Sequence, residues 1–358
     1  GLVIILAFFF SLLRNSQNGG YATAQVVKVT KPEANAMVTN VNLKVISGPL
    51  KGRLLKAPIL VEQQSLYRMD LNPGDEVVII TEKLDGRLDV GIDEYYRAPT
   101  LLFFIAIVAI LLILIGRWQG LVSFLALAIT VLLVFGGLAN LLLQSYSPLP
   151  MAIIFSAIIT FITLALIGGF TRKTLIATLG TVGGVSAAGL FAYLATVTMH
   201  LSGVTGHEAI YLQTLSLSLD FRGLLLCAII IGALGAVMDV CMSLATSLEE
   251  LSKADKTTTY KSLFDSGMKM GSDLLGTMTN TLVLAYAGSS LTLILLLSAQ
   301  RAEFPLARLL NMEFITVEIV RSLAGLFGMA CAIPISAAVG AYLYGQHRRR
   351  PRRVTQIG

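Results

Sequence analysis

The chain has 358 residues, of which 55% are hydrophobic and only 13% are charged, and it carries a net charge of +6. Its mean hydropathy is +0.77. Soluble domains carry about a quarter charged residues, so lipid is the expected solvent for most of this surface, and the lipid bilayer is its first partner. The basic balance does not point to nucleic acid, because the positive residues sit in short connections and in the tail HRRRPRR at 347–353.

In chain order, residues 1–20 read as a first membrane span (GLVIILAFFFSLL) and a polar linker (RNSQNGG). A chain that starts at Gly1 inside an apolar run is expected to have further residues upstream. Length alone leaves a first span and a secretory signal equally open. Residues 21–98 change period. Alternating runs ATAQVVKVT, VNLKVISG, RLLKAPILV, DEVVIITEKL and GRLDVGIDEYY are punctuated at Gly48-Pro49, Asn72-Pro73-Gly74 and Asp85-Gly86. This pattern predicts about five strands in a small antiparallel β-barrel of OB or SH3-like type, with Val77, Ile79, Leu88, Val90 and Ile92 in its core.

From 99 to 346 the chain reads as seven membrane spans, at about 100–115, 120–143, 150–169, 174–199, 223–246, 268–298 and 314–344. Pro334 is expected to kink the last. Residues 347–358 form a basic tail. Positive charge concentrates at Arg117, at Arg172-Lys173, in 253–269 and in the tail, whereas QSYSPLP at 144–150 has none. One topology places every rich connection in the cytoplasm: about eight spans, both termini inside and the β-domain outside. The fold class is therefore mainly α, a polytopic transmembrane helix bundle with a small N-terminal extracytoplasmic β-domain. Glycines at 168–169, 180, 183–184, 189, 232 and 235 suit close helix packing, with a thin channel wall as the rival reading. In 249–270, Tyr260, Leu263, Phe264 and Met268 read as an amphipathic helix on the membrane surface, or one that binds a partner.

Two apolar spans each carry one carboxylate, Asp239 and Asp273. An ionised Asp near a bilayer centre costs several kcal/mol, so each needs a polar partner or water. Counting rise from the span ends puts Asp239 about 24 Å from the outer side and Asp273 about 9 Å from the inner side, at nearly one depth. Two readings stay open. The carboxylates pair across neighbouring helices, as a proton relay or around a shared cation, with Thr277, Asn280 and Thr281 as further oxygens; or Asp239 bonds a neighbouring helix while Asp273 sits in an interfacial first turn. Glu313, Glu318 and Arg321 mark the last span. Glu318 and Arg321, three apart, can neutralise each other or form a gate or substrate contact.

Cys227, Cys241 and Cys331 all lie in apolar spans and read as free core thiols. His200 and His207 with Glu208 read as a solvated loop rather than a metal site. No Walker A, HExxH, GxSxG or CxxC pattern occurs, so neither an enzyme nor a resident cofactor is expected. MDV and GSDL around the two Asp also differ from the YD and GxGD pairing of intramembrane proteases.

The stretches DEYYRAPTLL, GGFTRKTLIATLGTVGG, GLLLCAIIIGALGAVMDVCMSLATSL, GMKMGSDLLGTMTNTLVLAYAGSSL and MEFITVEIVRSLAG resemble the YibE/F-like family of bacterial multi-pass membrane proteins. The resemblance implies a bacterial inner-membrane protein with an outward N-terminal domain, and no particular reaction. Its motifs fall on Asp239, Asp273, Thr277, Thr279 and Asn280. The expected activity is that of a permease or channel-like transporter of an ion or small polar solute, through Asp239, Asp273, Thr277, Asn280, Thr281, Glu318 and Arg321. A membrane scaffold or sensor whose β-domain binds an envelope partner is the alternative. Either form can work as a homo-oligomer or with a partner membrane protein.

Overall fold

A computed structural model describes residues 21–30, 38–60, 69–84, 87–215, 219–255, 258–300 and 305–345. The expected first span at 1–13, the turn at Asp85-Gly86 and the basic tail lie outside the described residues. The chain divides into two compact units, the first ending at Leu121 and the second beginning at Val122.

The first unit holds five strands: β1 (Tyr21–Thr30), β2 (Val38–Val45), β3 (Leu54–Leu60), β4 (Glu76–Leu84) and β5 (Arg87–Tyr95). They form one antiparallel sheet in the order β3-β2-β1-β4-β5, and the two edges, β3 and β5, also approach each other. The period of two in the sequence explains the core. Ala24, Val26, Val41, Leu43, Val77, Ile79 and Val90 point inward and are buried, and Ile92 packs against them. Bulges at Val26/Lys28 and Val78/Ile79 bend the sheet into a half-barrel. Gly74 turns the chain into β4 at φ 104°, where a side chain would be strained, and Asn72 donates its N–H to the Asp75 carboxylate at 2.8 Å across that turn.

A long apolar helix follows, α1 (Ala98–Leu143). At about 1.5 Å per residue, its 46 residues would run about 69 Å if straight, more than twice a hydrocarbon core. The helix does not run straight. Arg117 leaves helical geometry at φ 49° and ψ −124°, and Gly120 returns against the Leu112 carbonyl so tightly that no Cβ fits there. A further irregularity is a π-helical stretch at Leu133–Leu138, where the Asn140 side-chain amide donates to the Gly136 carbonyl at 2.7 Å.

The second unit is a helix bundle: α2 (Pro148–Gly168), α3 (Arg172–Thr198), the short α4 (His207–Thr214), α5 (Phe221–Ala254), α6 (Tyr260–Ser289), α7 (Leu291–Gln300), the short α8 (Leu306–Leu310) and α9 (Glu313–Gly345). Among the described residues, α1, α2, α3, α5 and α9 are long and apolar enough to cross a membrane. The protein is thus mainly helical, a multi-pass membrane protein with an N-terminal antiparallel sheet.

Helices α3, α5 and α9 pack on one another at the centre, with α2 against α3 and α5, and α6 against α9 and α5. Small residues make this possible. A Cβ on Gly184 of α3 would stand 2.7 Å from the Gly328 carbonyl of α9, and one on Gly328 would stand 3.0 Å from the Gly184 carbonyl. Two backbones touch there, so the glycines serve packing, as their spacing predicts. Gly180 likewise admits Cys241 of α5 and Ser336 of α9 to one point of contact. Gly235, like Gly276 and Gly288 of α6, has open space where a side chain would go.

The helices alternate in direction. At one end Arg172 of α3 donates to the Leu343 carbonyl of α9 at 3.1 Å, and Lys173 pairs with Glu249 of α5 at 3.6 Å. Lys253 joins the same cluster through Glu249 and Glu250. At the other end the Glu313 carboxylate of α9 accepts from Ser202 Oγ at 2.8 Å and from the Gly203 N–H at 2.9 Å, in the segment after α3. Glu313 therefore clamps that segment rather than joining Glu318 and Arg321. Glu313→Ala is expected to cost about 2 kcal/mol through these bonds, and hydrogen exchange at Ser202 and Gly203 should accelerate while exchange in α3 does not.

One expectation is corrected here. Residues 260–270 are the first turns of α6, not a separate surface helix. Leu263 is fully buried, Gly267 lies against Ala337 and Leu248, and Phe264 and Met268 pack on the bundle core. The apolar stripe that suggested a lipid surface is satisfied by α9 and α5 instead. The expected span at 268–298 begins earlier, at Tyr260, and is interrupted at Ser290. By contrast α9 runs as one helix through Pro334.

Candidate functional site

Asp239 lies near the middle of α5, and Asp273 sits thirteen residues into α6 (260 to 273). The first turn of α6 is capped elsewhere, by Thr259, which accepts from the Ser262 N–H at 3.3 Å. Asp273 is therefore not an N-terminal carboxylate favoured by a helix dipole.

Helix contacts fix the relative heights. Cys241 and Ser336 meet at Gly180, and α5 runs in the same direction as α9, so Asp239 is level with about residue 334. Gly271 meets Ile333, and α6 runs against α9, so Asp273 is level with about residue 331. The two carboxylates differ in height by roughly three residues of rise, about 4.5 Å.

Their directions are another matter. Gly267, Gly271 and Leu282 mark the buried face of α6. At about 100° per residue, Asp273 stands about 200° from Gly271, with Thr277 and Asn280 beside it. Asp273, Thr277 and Asn280 are all exposed, on the face turned away from α9. On α5, Asp239 continues an exposed stripe of Ala228, Gly232 and Gly235, spaced four, three and four residues apart. Among the described residues neither Asp makes a hydrogen bond or an ion pair, and no group of three or more His, Cys, Asp or Glu could hold a metal ion. Thr277 donates to its own helix at Leu274 O, 3.0 Å away, and Thr281 to Thr277 O at 3.3 Å. The two carboxylates thus lie at nearly one level, on faces that the described residues leave uncovered.

A second polar group lies about 15 Å away along α9. Arg321 Nη2 pairs with Glu318 Oε1 at 3.5 Å, and both side chains are nearly three-quarters covered. Ser290, where α6 gives way to α7, donates to Glu318 Oε2 at 3.3 Å. Tyr286 of α6 closes the group from the α5 side. Its hydroxyl would stand 3.2 Å from a Cβ on Gly232, and because Leu282 meets Gly325 and Ser290 meets Glu318, Tyr286 is level with Arg321. The Tyr286 hydroxyl and Arg321 Nε are buried and, among the described residues, have no hydrogen-bond partner. Sequence reasoning named Glu318 and Arg321 and missed Tyr286 and Ser290. Their only signal was a polar atom at the end of an apolar run, with no hint that α9 lies opposite.

A family model described as "YibE/F-like protein" matches residues 104–346. The chain belongs to that family. The match covers every helix from within α1 to the end of α9, and so both polar groups of this YibE/F-like chain. No curated protein and no solved structure matches it.

Proposed function

We propose that this YibE/F-like protein is a bacterial inner-membrane permease or channel-like transporter, passing an ion or small polar solute along α5, α6 and α9. The observation that carries the reading is the pair of mid-helix carboxylates, Asp239 and Asp273, exposed at one level with Thr277 and Asn280 beside the second. Hydrocarbon does not solvate such groups cheaply, so the faces that bear them belong against water, a permeant or another polar chain. A second copy or a partner membrane protein that completes the lining is part of this reading. The reversal at Arg117 favours counting α1 as two spans. With α6 and residues 1–13 that gives eight, both termini in the cytoplasm. The basic cluster of Arg172, Lys173 and Lys253 at one end of the bundle favours that end as cytoplasmic. The reading is of a transporter and not an enzyme, with no resident cofactor.

The test is flux through the full chain in liposomes, followed with potential- and pH-sensitive dyes. Asp239→Asn and Asp273→Asn are each expected to cut flux about tenfold or more, a loss of roughly 1.4 kcal/mol in barrier terms. Unchanged flux in both, with helix content intact, refutes the proposal.

The alternative is a scaffold or sensor, favoured by the self-contained sheet, whose approaching edges β3 and β5 suit a small OB or SH3-like barrel outside the membrane. Deleting residues 21–98 separates the two. A permease keeps its flux, whereas a scaffold loses its partner.

A further inference from the structure

We propose that the Tyr286 hydroxyl and Arg321 Nε form a binding subsite for a small oxyanion between α5, α6 and α9. Both free groups are donors: a guanidinium N–H gives and never accepts, and a buried phenol with no acceptor of its own has a proton to give. Only an acceptor satisfies both. Burial without one costs each donor its hydration, and the described residues supply no acceptor here.

The charge points the same way. Glu318 holds one corner of the guanidinium, Nη2, at a long 3.5 Å, and Glu318 is itself drawn toward Ser290. The Nε–H of Arg321, next to Nη2 on the guanidinium, has no partner among the described residues. A guanidinium N–H donates to carboxylate or phosphate oxygens in a charge-assisted hydrogen bond. Tyr286 supplies the additional donor, and Gly232 provides the room. Any side chain at position 232 would press on the hydroxyl. Glu318 then acts as the resident counter-charge, which keeps Arg321 neutralised when the subsite is empty.

The subsite deepens the permease reading, since its ligand would be the passenger of that path, but binding can be measured without flux. The full chain, purified in a non-ionic detergent, is titrated with acetate and with inorganic phosphate by calorimetry. A third arm adds phosphatidylglycerol micelles, to tell a free oxyanion from a lipid headgroup. Saturable binding is expected in at least one arm. Tyr286→Phe removes one oxygen at constant shape and should weaken that binding about tenfold, the usual effect of one charge-assisted bond. Glu318→Gln with Arg321→Gln keeps the net charge and should abolish it. Gly232→Ala should weaken it while leaving both donors in place. No saturable binding in any arm, or equal binding by wild type and Tyr286→Phe, overturns the subsite. Flux lost in the Asp variants without such binding leaves the permease standing and removes only this inference. Binding without flux does the reverse.

Discussion

Gly184→Leu is expected to destabilise the bundle by about 3 kcal/mol or more, the upper part of the overpacking range. The reason is geometric. The new side chain would begin 2.7 Å from a backbone carbonyl of α9 and 2.6 Å from the Ala332 methyl, and neither can rotate away. To admit it, α9 must move off α3, which also parts Gly328 from Ala188 and Ser336 from Gly180. Gly235→Leu is the control. It makes the same chemical change in a neighbouring helix, into space with nothing within 4 Å. Helix propensity favours Leu over Gly by under about 1 kcal/mol, so this variant should match or slightly exceed wild type. Unfolding in mixed detergent micelles, followed by far-UV circular dichroism, measures both. Equal midpoints would mean that the α3–α9 contact does not hold the bundle together.

The second large effect is an asymmetry at Glu318 and Arg321. Removing one partner leaves a largely covered charge uncompensated, and breaking a buried pair typically costs about 3–5 kcal/mol. With nearly 30% of each side chain still exposed, the lower end applies, about 3 kcal/mol for Glu318→Leu or Arg321→Leu alone. Changing both to Leu should recover most of that loss, because an apolar pair needs no mutual solvation. A double-mutant cycle on unfolding midpoints gives the coupling directly. If the double variant is as unstable as the sum of the singles, the two residues are not a pair in the folded protein.

Strand positions were legible because a period of two and turn glycines are local signals. Val77, Ile79 and Val90 are buried where alternation puts them, and Gly74 turns where Asn-Pro-Gly stands. Helix packing by glycine was legible for a similar reason, since only close approach favours so many residues without side chains. The start of α6 was not. Tyr260, Leu263, Phe264 and Met268 show one apolar face, and a face does not say whether lipid or another helix covers it. The heights of Asp239 and Asp273 follow from counting residues, but their azimuths do not. Direction depends on which flank of α6 meets α9, and that is settled by Gly271 and Ile333, about sixty residues apart in sequence. Tyr286 was missed on the same ground, because its neighbours Glu318 and Arg321 belong to a later helix.

The order in which the chain emerges has a consequence for assembly. The central trio of α3, α5 and α9 is closed only by α9, made roughly 130 residues after the glycine seam of α3 that receives it. Until α9 arrives, the nascent bundle must wait with a slot along Gly180 and Gly184. Small side chains make that wait tolerable, as they offer lipid little polar surface to reject. The keystone goes in after the stones it locks, and a ribosome that stalled before Glu313 would leave an arch with no crown.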